Sequence, residues 1–255
     1  MVNIFFDLDG TLINSQQRLY NLFVELCPEC KMTYEEYWEI KRQRINQKDF
    51  LKKYFNYPDE KCAEIHRLWL EKVEEPERLK QDYLVDGVVE ILEKLYNTPL
   101  PPSGTSPAGG TDIPPTPTYA GTSPARGADM SFLEKWHEMP KGVKYNLYIV
   151  TNRQSKELTI KEIETLGIKK YFKDILVTEQ KKTKEELIRE NIEISKDDIL
   201  IGDTGEDIKC AKALGVKSVA VSWGILNENV LKEYQPNYLV YSIKDVTVYS
   251  GEKNG

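Results

Sequence analysis

Short apolar segments alternate with longer stretches of helical pattern through most of this chain of 255 residues. The segments are rich in valine, isoleucine and leucine, and helical patterns such as residues 156–166 and 184–191 separate them. Such alternation is typical of a parallel sheet that is buried under helices on both faces. The sequence therefore predicts an α/β fold with a Rossmann-like sheet. The predicted strands are residues 2–8, 147–150, 175–177, 199–201 and 219–221, with an edge strand at 238–240.

Two of the predicted strands end in carboxylates. The first strand runs into Asp7-Leu8-Asp9-Gly10-Thr11, and the strand at 199–201 is followed by Asp203 and, at the start of a helix, by Asp207. Because the carboxyl ends of parallel neighbours meet at one edge of a sheet, where open α/β folds bind ligands, we expect these carboxylates to converge. Oxygen ligands suit Mg²⁺ better than zinc. Two carboxylates one residue apart also indicate an acid/base pair.

These motifs, in their order along the chain, resemble those of the haloacid dehalogenase superfamily of phosphohydrolases. The resemblance covers most of the chain outside residues 98–142. It implies that Asp7 attacks phosphorus as the nucleophile and that Asp9 acts as general acid and base. The threonine or serine that ends a strand in the second family motif is matched by Thr151. The resemblance assigns catalysis to Asp7, Asp9, Thr151 and Lys184, phosphate binding to Gly10, Thr11, Thr151, Asn152 and Lys184, and Mg²⁺ binding to Asp7, Asp9, Asp203 and Asp207.

The third family motif, a lysine that opens a later helix, has more than one match. Lys181, Lys182 and Lys184 all follow the predicted strand at 175–177. Lys184 resembles the helix-opening lysine best, and Lys182 is the second choice. Each of these lysines could also belong to a solvated helix start.

The resemblance implies a Mg²⁺-dependent phosphatase that hydrolyses a small phosphorylated metabolite through an aspartyl-phosphate. Cations and hydrogen-bond donors stabilise the negative charge on the phosphoryl oxygens in the transition state. Asp9 sets the chain apart from the family branch that cleaves carbon–halogen bonds, because a halide leaving group needs no proton. Phosphomutases keep this second aspartate, so a phosphomutase of the same fold is the nearest alternative.

Composition excludes several other classes of protein. A formal net charge of −6 argues against a general nucleic-acid-binding protein. No apolar stretch reaches the length of a membrane span, and Met1 leads directly into the first predicted strand, so no signal peptide is expected. The four cysteines are sparse, and Cys27 and Cys30 are expected to be reduced thiols rather than a zinc site. We therefore expect a cytoplasmic enzyme with no nucleic-acid or membrane partner.

The domain organisation is predicted as a core of residues 1–13 and 84–255 with a small all-helical domain at 14–83. The position of the helical domain resembles the cap that this family inserts after its first motif. Such a cap covers the carboxyl edge of the sheet, excludes water and selects the substrate. Within it, Lys41, Arg42 and Arg44 could reach an anionic part of the substrate, or they could form a solvated helix face.

Residues 98–142 depart from the family pattern, which joins this helix and strand by a short turn. The segment holds most of the prolines, and glycine, serine and threonine fill much of the rest. It is predicted to be an insertion, either an engineered graft or a loop that binds a partner. Phe132, Trp136 and Met139 would lie on one side of a short helix at 130–139, which could dock on a protein partner or on the enzyme itself. A phosphatase-fold scaffold that presents this insertion is thus a further alternative.

Overall fold

The computed structural model describes residues 1–97 and 144–246. A six-stranded sheet forms the centre of the fold, in the order β5-β4-β1-β6-β7-β8, and all of its strands are parallel. On β1, Ile4 is paired with Leu147 on one side and with Ile199 on the other. The predicted α/β fold with a parallel sheet is therefore confirmed. The strands are β1 (Val2–Phe6), β4 (Tyr145–Thr151), β5 (Asp174–Val177), β6 (Ile199–Gly202), β7 (Lys217–Val221) and β8 (Tyr238–Val240).

Helices cover both faces of this sheet because successive side chains of β1 point to opposite sides. Ile4 and Phe6 pack in one hydrophobic cluster with residues such as Ile91 and Ile163, while Phe5 packs in another cluster with Ile188. The covering helices are α6 (Val88–Tyr96), α7 (Lys156–Thr165), α8 (Lys184–Asn191), α9 (Gly205–Leu214) and α10 (Glu228–Glu233), with 3₁₀ turns at Lys169–Tyr171 and Ile243–Val246.

A separate group of helices, which we call the helical unit, lies between two short antiparallel strands, β2 (Ile13–Asn14) and β3 (Tyr83–Leu84). Its interior is aromatic: Phe23 stacks on Tyr37 at 4.6 Å between ring centroids, and Phe50 packs edge-on against both rings. The unit therefore has a hydrophobic cluster of its own. Its helices are α1 (Gln16–Leu26), α2 (Tyr34–Lys41), α3 (Gln47–Phe55), α4 (Asp59–Lys72) and α5 (Pro76–Leu79).

All four cysteines are buried and free. Three of them (Cys27, Cys30 and Cys62) lie in the cluster of the helical unit. Within residues 1–97 and 144–246, no helix combines the length and the apolar character that a membrane crossing requires.

The described residues on either side of the segment 98–142 lie at the amino edge of the sheet. Helix α6 ends at Tyr96, which packs against Tyr171 just before β5, and β4 begins at Tyr145 opposite Val2. The insertion itself lies outside the described residues, as do the proposed partner-binding residues Phe132, Trp136 and Met139. Since Asp7 and Asp203 follow the carboxyl ends of their strands, both connections to the insertion lie about a strand length, roughly 15–20 Å, from these carboxylates.

We expect replacement of residues 98–142 by a short glycine-containing turn to leave folding and turnover intact. Loop length has a small effect on the free energy of unfolding, and both connections lie at the edge opposite the carboxylates. Thermal unfolding and steady-state turnover of the shortened chain test this. A large fall in turnover by a well-folded shortened chain would place the insertion over the active site. The matched substitutions Phe132→Ala and Trp136→Ala in the full chain would remove any partner interaction without changing turnover.

Candidate active site

A sharp turn follows β1 and aims Asp7 at the carboxyl edge of the sheet. The backbone N–H of Asp7 donates to the carbonyl of Ile201 on β6 at 2.8 Å, which ties the end of β1 to its neighbour. The turn passes through Gly10, whose φ of 80° favours glycine. A Cβ atom at Gly10 would lie 2.2 Å from Oδ2 of Asp203, so the turn also needs glycine for its close approach to that carboxylate.

Three buried carboxylates converge at this edge, as the topology predicts. Asp203 follows β6, and Asp207 lies in the first turn of α9. One oxygen from each of Asp7, Asp203 and Asp207 lies within 4.8 Å of the others. The position of Asp207 is fixed because its Oδ2 accepts hydrogen bonds from the backbone N–H and the hydroxyl of Thr204, at 3.1 and 2.6 Å. We call Asp7, Asp203 and Asp207 the acidic triad.

Lys184 is the lysine that reaches the acidic triad. Its Nζ lies 2.7 Å from Oδ1 of Asp7 and 2.6 Å from Oδ1 of Asp207, and its side chain is buried. Lys184 is the first residue of α8, whose N-cap Thr183 forms a capping box with Glu186. Lys182, the second choice, is exposed and paired with Glu190. The structure thus brings Lys184, and not Lys182, to the site.

Burial and repulsion between neighbouring carboxylates raise the pKa values of Asp7 and Asp203. Burial raises the pKa of Asp7 to about 7, although the neighbouring Lys184 opposes this rise. Burial likewise raises the pKa of Asp203 well above its usual range, and the charges of Asp7 and Asp207 add to the rise. Full ionisation of three carboxylates beside one ammonium group would leave an excess of negative charge in a buried site, and the raised pKa values reflect that cost. A divalent cation would offset the excess and favour the ionised carboxylates.

The donor set of the triad fits a hard divalent cation. Within the described part of the chain, Oδ1 of Asp203 is buried without a hydrogen-bond partner, while Oδ2 of the same side chain accepts from the backbone N–H of Ile225 at 2.6 Å. A buried carboxylate oxygen without a partner is costly in the absence of a cation. All the ligand atoms on offer are carboxylate oxygens, which suit Mg²⁺. Asp7, Asp203 and Asp207 are therefore the residues that would hold the metal.

Asp9 has different partners from those the sequence predicted. Its side chain was predicted as a fourth metal ligand, but its carboxylate instead accepts a bidentate pair of hydrogen bonds from Arg153, at 2.7 and 2.9 Å, and a third from Arg18 at 2.8 Å. Both arginines are buried, and Asp82 contacts both of them at 2.8–3.3 Å. Two guanidinium groups attract this carboxylate away from the triad, which already holds three like charges.

The arginines also set the ionisation of Asp9. Burial by itself would raise the pKa of Asp9, but the charges of Arg153 and Arg18 outweigh burial and hold that pKa below its usual value. Arg153 additionally contacts Glu162, whose own pKa burial raises to about 7 despite the opposing charge of Arg153. Asp9 is therefore an ionised hydrogen-bond acceptor in this arrangement. Neither arginine was singled out in the sequence, although Arg153 directly follows the Thr151-Asn152 motif.

A cavity of about 280 Å³ adjoins the triad. Thr151, Asn152 and Lys184 line it together with Asp7 and Asp9, so five predicted site residues face the same space. Thr151 is buried at the end of β4, and Asn152 donates to Glu206 at 2.9 Å. The predicted phosphate-binding residues Gly10 and Thr11 belong to the turn behind Asp7 and are not part of the cavity lining. The wall opposite the sheet consists mainly of apolar residues of the helical unit, namely Leu19, Trp69, Leu70 and Val73, with Ile225 beside them.

The three basic residues suggested as substrate contacts do not line this cavity. Lys41 donates to the carbonyl of Ile45 at 3.2 Å. Arg42 donates to the carbonyl of Ser222 at 2.6 Å, and Arg44 stacks on Tyr234 at 4.9 Å. The C-terminal end of α2 therefore faces the chain after β7, while α4 faces the cavity. The cation that the helical unit brings to the cavity lining is instead Arg18, which stands among mainly apolar side chains of the same unit.

Comparison with known proteins agrees with this geometry. A sequence model of the family described as haloacid dehalogenase-like hydrolase matches residues 4–101 and 131–221, more than half of the chain. The chain belongs to the haloacid dehalogenase-like hydrolase family. The model leaves out residues 102–130, which lie within the predicted insertion.

Relatives of this chain include named pyrophosphatases. Pyrophosphatase PpaX from Halalkalibacterium halodurans is 23% identical over 261 residues, which cover 98% of this chain and 97% of that protein. Three further curated relatives match over 25% to 55% of their own length, so this chain spans about half of those relatives or less.

Solved structures share the fold. A haloacid dehalogenase-like family hydrolase from Streptococcus pneumoniae is 18% identical, with a TM-score of 0.66 and 96% of each chain covered. The HAD-hydrolase YfnB from Bacillus subtilis, whose structure was determined with bound magnesium, is 17% identical, with a TM-score of 0.56 and 96% of each chain covered. At these identities the likeness concerns the fold alone.

Proposed function

We propose that this protein is a Mg²⁺-dependent phosphatase that hydrolyses a small phosphorylated metabolite through an aspartyl-phosphate on Asp7. The observation that carries the proposal is the position of Asp7, which faces a cavity while Lys184 and two further carboxylates surround it. An anionic nucleophile can approach an anionic phosphate only where cations neutralise both. Mg²⁺ held by the acidic triad would supply that neutralisation and would polarise the phosphoryl oxygens.

In the first step, a carboxylate oxygen of Asp7 attacks phosphorus, and the bond between phosphorus and the leaving-group oxygen breaks. The leaving oxygen takes the electron pair of that bond and acquires a proton. Lys184 and Thr151 stabilise the charge on the transferring phosphoryl group as a cation and a hydrogen-bond donor. In the second step, water attacks the phosphorus of the aspartyl-phosphate and gives up a proton. The bond between phosphorus and the Asp7 oxygen breaks, the Asp7 carboxylate takes the electron pair of that bond, and inorganic phosphate is released.

Asp9 is proposed as the group that transfers protons in both steps. The hydrogen bonds that it accepts from Arg18 and Arg153 support its ionised form, which can take a proton from the attacking water. Donation to the leaving group in the first step requires Asp9 to carry a proton. The arginines disfavour that protonated form, so Asp9 must turn away from at least one of them for this step. The pair of arginines therefore orients the general base of the second step, in which Asp9 takes a proton from water and is ready to donate it again.

The helical unit is proposed to act as the cap of the site. Trp69, Leu70 and Val73 lie on the cavity wall opposite the sheet, and apolar groups in that position exclude water from the aspartyl-phosphate. The substrate would then be a small phosphorylated molecule, in keeping with a cavity of about 280 Å³.

Two other reactions stay open at this site. The name of the Halalkalibacterium halodurans relative favours pyrophosphate, or another phosphoanhydride, as a second candidate substrate. A phosphomutase would use the same nucleophile but return the phosphoryl group to the substrate. Release of inorganic phosphate, measured over a panel of phosphomonoesters together with pyrophosphate, separates the three. A pure scaffold for residues 98–142 would release phosphate from none of them and, unlike a phosphomutase, would not become phosphorylated on Asp7.

Removal of the metal should abolish this activity. We expect excess chelator to stop phosphate release and added Mg²⁺ to restore it, because Asp7 and the substrate would otherwise repel each other. Ca²⁺ should restore far less, since its longer bonds and flexible coordination relax the geometry around Asp7. Full turnover in excess chelator would contradict the proposed mechanism.

A further inference from the structure

The segment 222–227, which we call the strap, connects β7 to α10 and crosses Asp203. The backbone N–H of Ile225 donates to Oδ2 of Asp203 at 2.6 Å. The strap also packs directly on this side chain, because a Cβ atom at Gly224 would lie 2.2 Å from Cβ of Asp203. The strap therefore fixes the orientation of the Asp203 carboxylate. The other oxygen of that carboxylate, Oδ1, is buried and has no hydrogen-bond partner among the described residues.

Arg42 of the helical unit holds both ends of the strap. Its guanidinium Nη2 donates to the carbonyl of Ser222 at 2.6 Å, and its own carbonyl accepts from the backbone N–H of Asn227 at 2.9 Å. Gln16 adds a contact in the middle, because its side-chain amide donates to the carbonyl of Gly224 at 3.2 Å. The side chain of Ile225 packs against the hydrophobic cluster of the helical unit. The strap thus links the helical unit to one member of the acidic triad.

We propose that Arg42 is a positioning residue for the metal centre, which acts through the strap to keep Oδ1 of Asp203 directed at the cation. The inference rests on the proposed Mg²⁺ site. A residue that orients a metal ligand contributes to metal affinity without touching the metal, and loss of such a partner typically weakens binding about 10–100-fold. Arg42 acts one step further from the ligand than Ile225. The loss of Mg²⁺ affinity on removal of the Arg42 side chain should therefore lie at the lower end of that range.

The test is Mg²⁺ binding to the protein without substrate, measured by titration calorimetry. We expect Arg42→Met, which keeps the aliphatic stem and removes the donor, to raise the Kd for Mg²⁺ about tenfold. Arg42→Lys keeps one donor and should recover part of the affinity. Arg44→Met is the matched control. It removes the same positive charge, but Arg44 contacts Tyr234 and Glu233 rather than the strap. Its Kd should equal that of the wild type.

A second readout follows the strap itself in the metal-free protein. Hydrogen exchange of the Ile225 amide should accelerate about tenfold in Arg42→Met and stay unchanged in Arg44→Met, since this amide is protected by its bond to Asp203. A wild-type Kd for Mg²⁺ in Arg42→Met, with an unchanged Ile225 amide, overturns the proposal. So does a raised KM for substrate at saturating Mg²⁺ with an unchanged Kd for Mg²⁺, because Arg42 would then contact the substrate. If the wild-type protein binds no Mg²⁺, the proposed Mg²⁺ site itself is refuted, and the role of Arg42 is refuted with it.

Discussion

Asp7→Asn should fold and bind substrate but release no phosphate. An amide cannot form the aspartyl-phosphate, so the expected loss in turnover is on the order of 10⁴-fold or more, as for other covalent nucleophiles. The fold should survive because Lys184 keeps its contact with Asp207 at 2.6 Å. Removal of one of three clustered carboxylates also relieves repulsion within the acidic triad. Phosphate release and thermal unfolding, measured on the same preparation, test both halves of this expectation.

The control for Asp7→Asn is the same change at an exposed position. Asp197 is exposed in the chain before β6, so Asp197→Asn should turn over like the wild type. Incubation with substrate and mass spectrometry gives a direct view of the intermediate: the wild type should gain a phosphoryl group on the peptide that contains Asp7, and Asp7→Asn should not. Near-wild-type turnover by a folded Asp7→Asn protein would remove Asp7 from the mechanism.

The acidic triad was predictable because it depends on topology alone. Asp7 and Asp203 each follow a buried strand, and parallel strands bring their carboxyl ends to one edge whatever the loops between them do. The position of Asp207 was predictable because it lies in the first turn of the helix that begins just after Asp203. The choice of Lys184 over Lys182 was also predictable from the sequence. Thr183 and Glu186 have the spacing of a capping box, which makes Thr183 the N-cap and Lys184 the first helical residue.

The contact of Arg18 with Asp9 and the contacts of the strap depend on how the helical unit packs on the sheet, and no local pattern encodes that packing. Arg153 instead follows β4, the neighbour of β1 in the sheet, but it is 144 residues away from Asp9 in sequence. Arg42 likewise meets Ser222 across 180 residues. A basic residue on a helix has many possible acceptors, so the sequence alone could not tell a substrate contact from a contact with the strap.

Lys184→Met should lower turnover about 10²–10³-fold while Lys182→Met leaves it unchanged. The expected loss is that of one preorganised charge beside the transferring phosphoryl group. Both substitutions remove one ammonium group and keep an unbranched stem, but Lys182 is exposed and paired with Glu190 outside the cavity lining. Steady-state turnover of the two variants at saturating Mg²⁺ tests the assignment. If Lys182→Met lost turnover while Lys184→Met kept it, Lys182 would be the catalytic lysine.

The same pair of variants separates a catalytic lysine from a merely structural one. In the metal-free protein, Lys184 is the cation that directly contacts Asp7 and Asp207, at 2.7 and 2.6 Å. Its loss from a buried pair should cost up to about 3–5 kcal/mol of the free energy of unfolding. Mg²⁺ can replace the positive charge of Lys184 among the carboxylates, but it cannot replace that charge beside the transferring phosphoryl group. We therefore expect Mg²⁺ to raise the Tm of Lys184→Met by more than that of the wild type, while turnover stays low. Recovery of turnover along with stability would show that Lys184 only neutralises the triad.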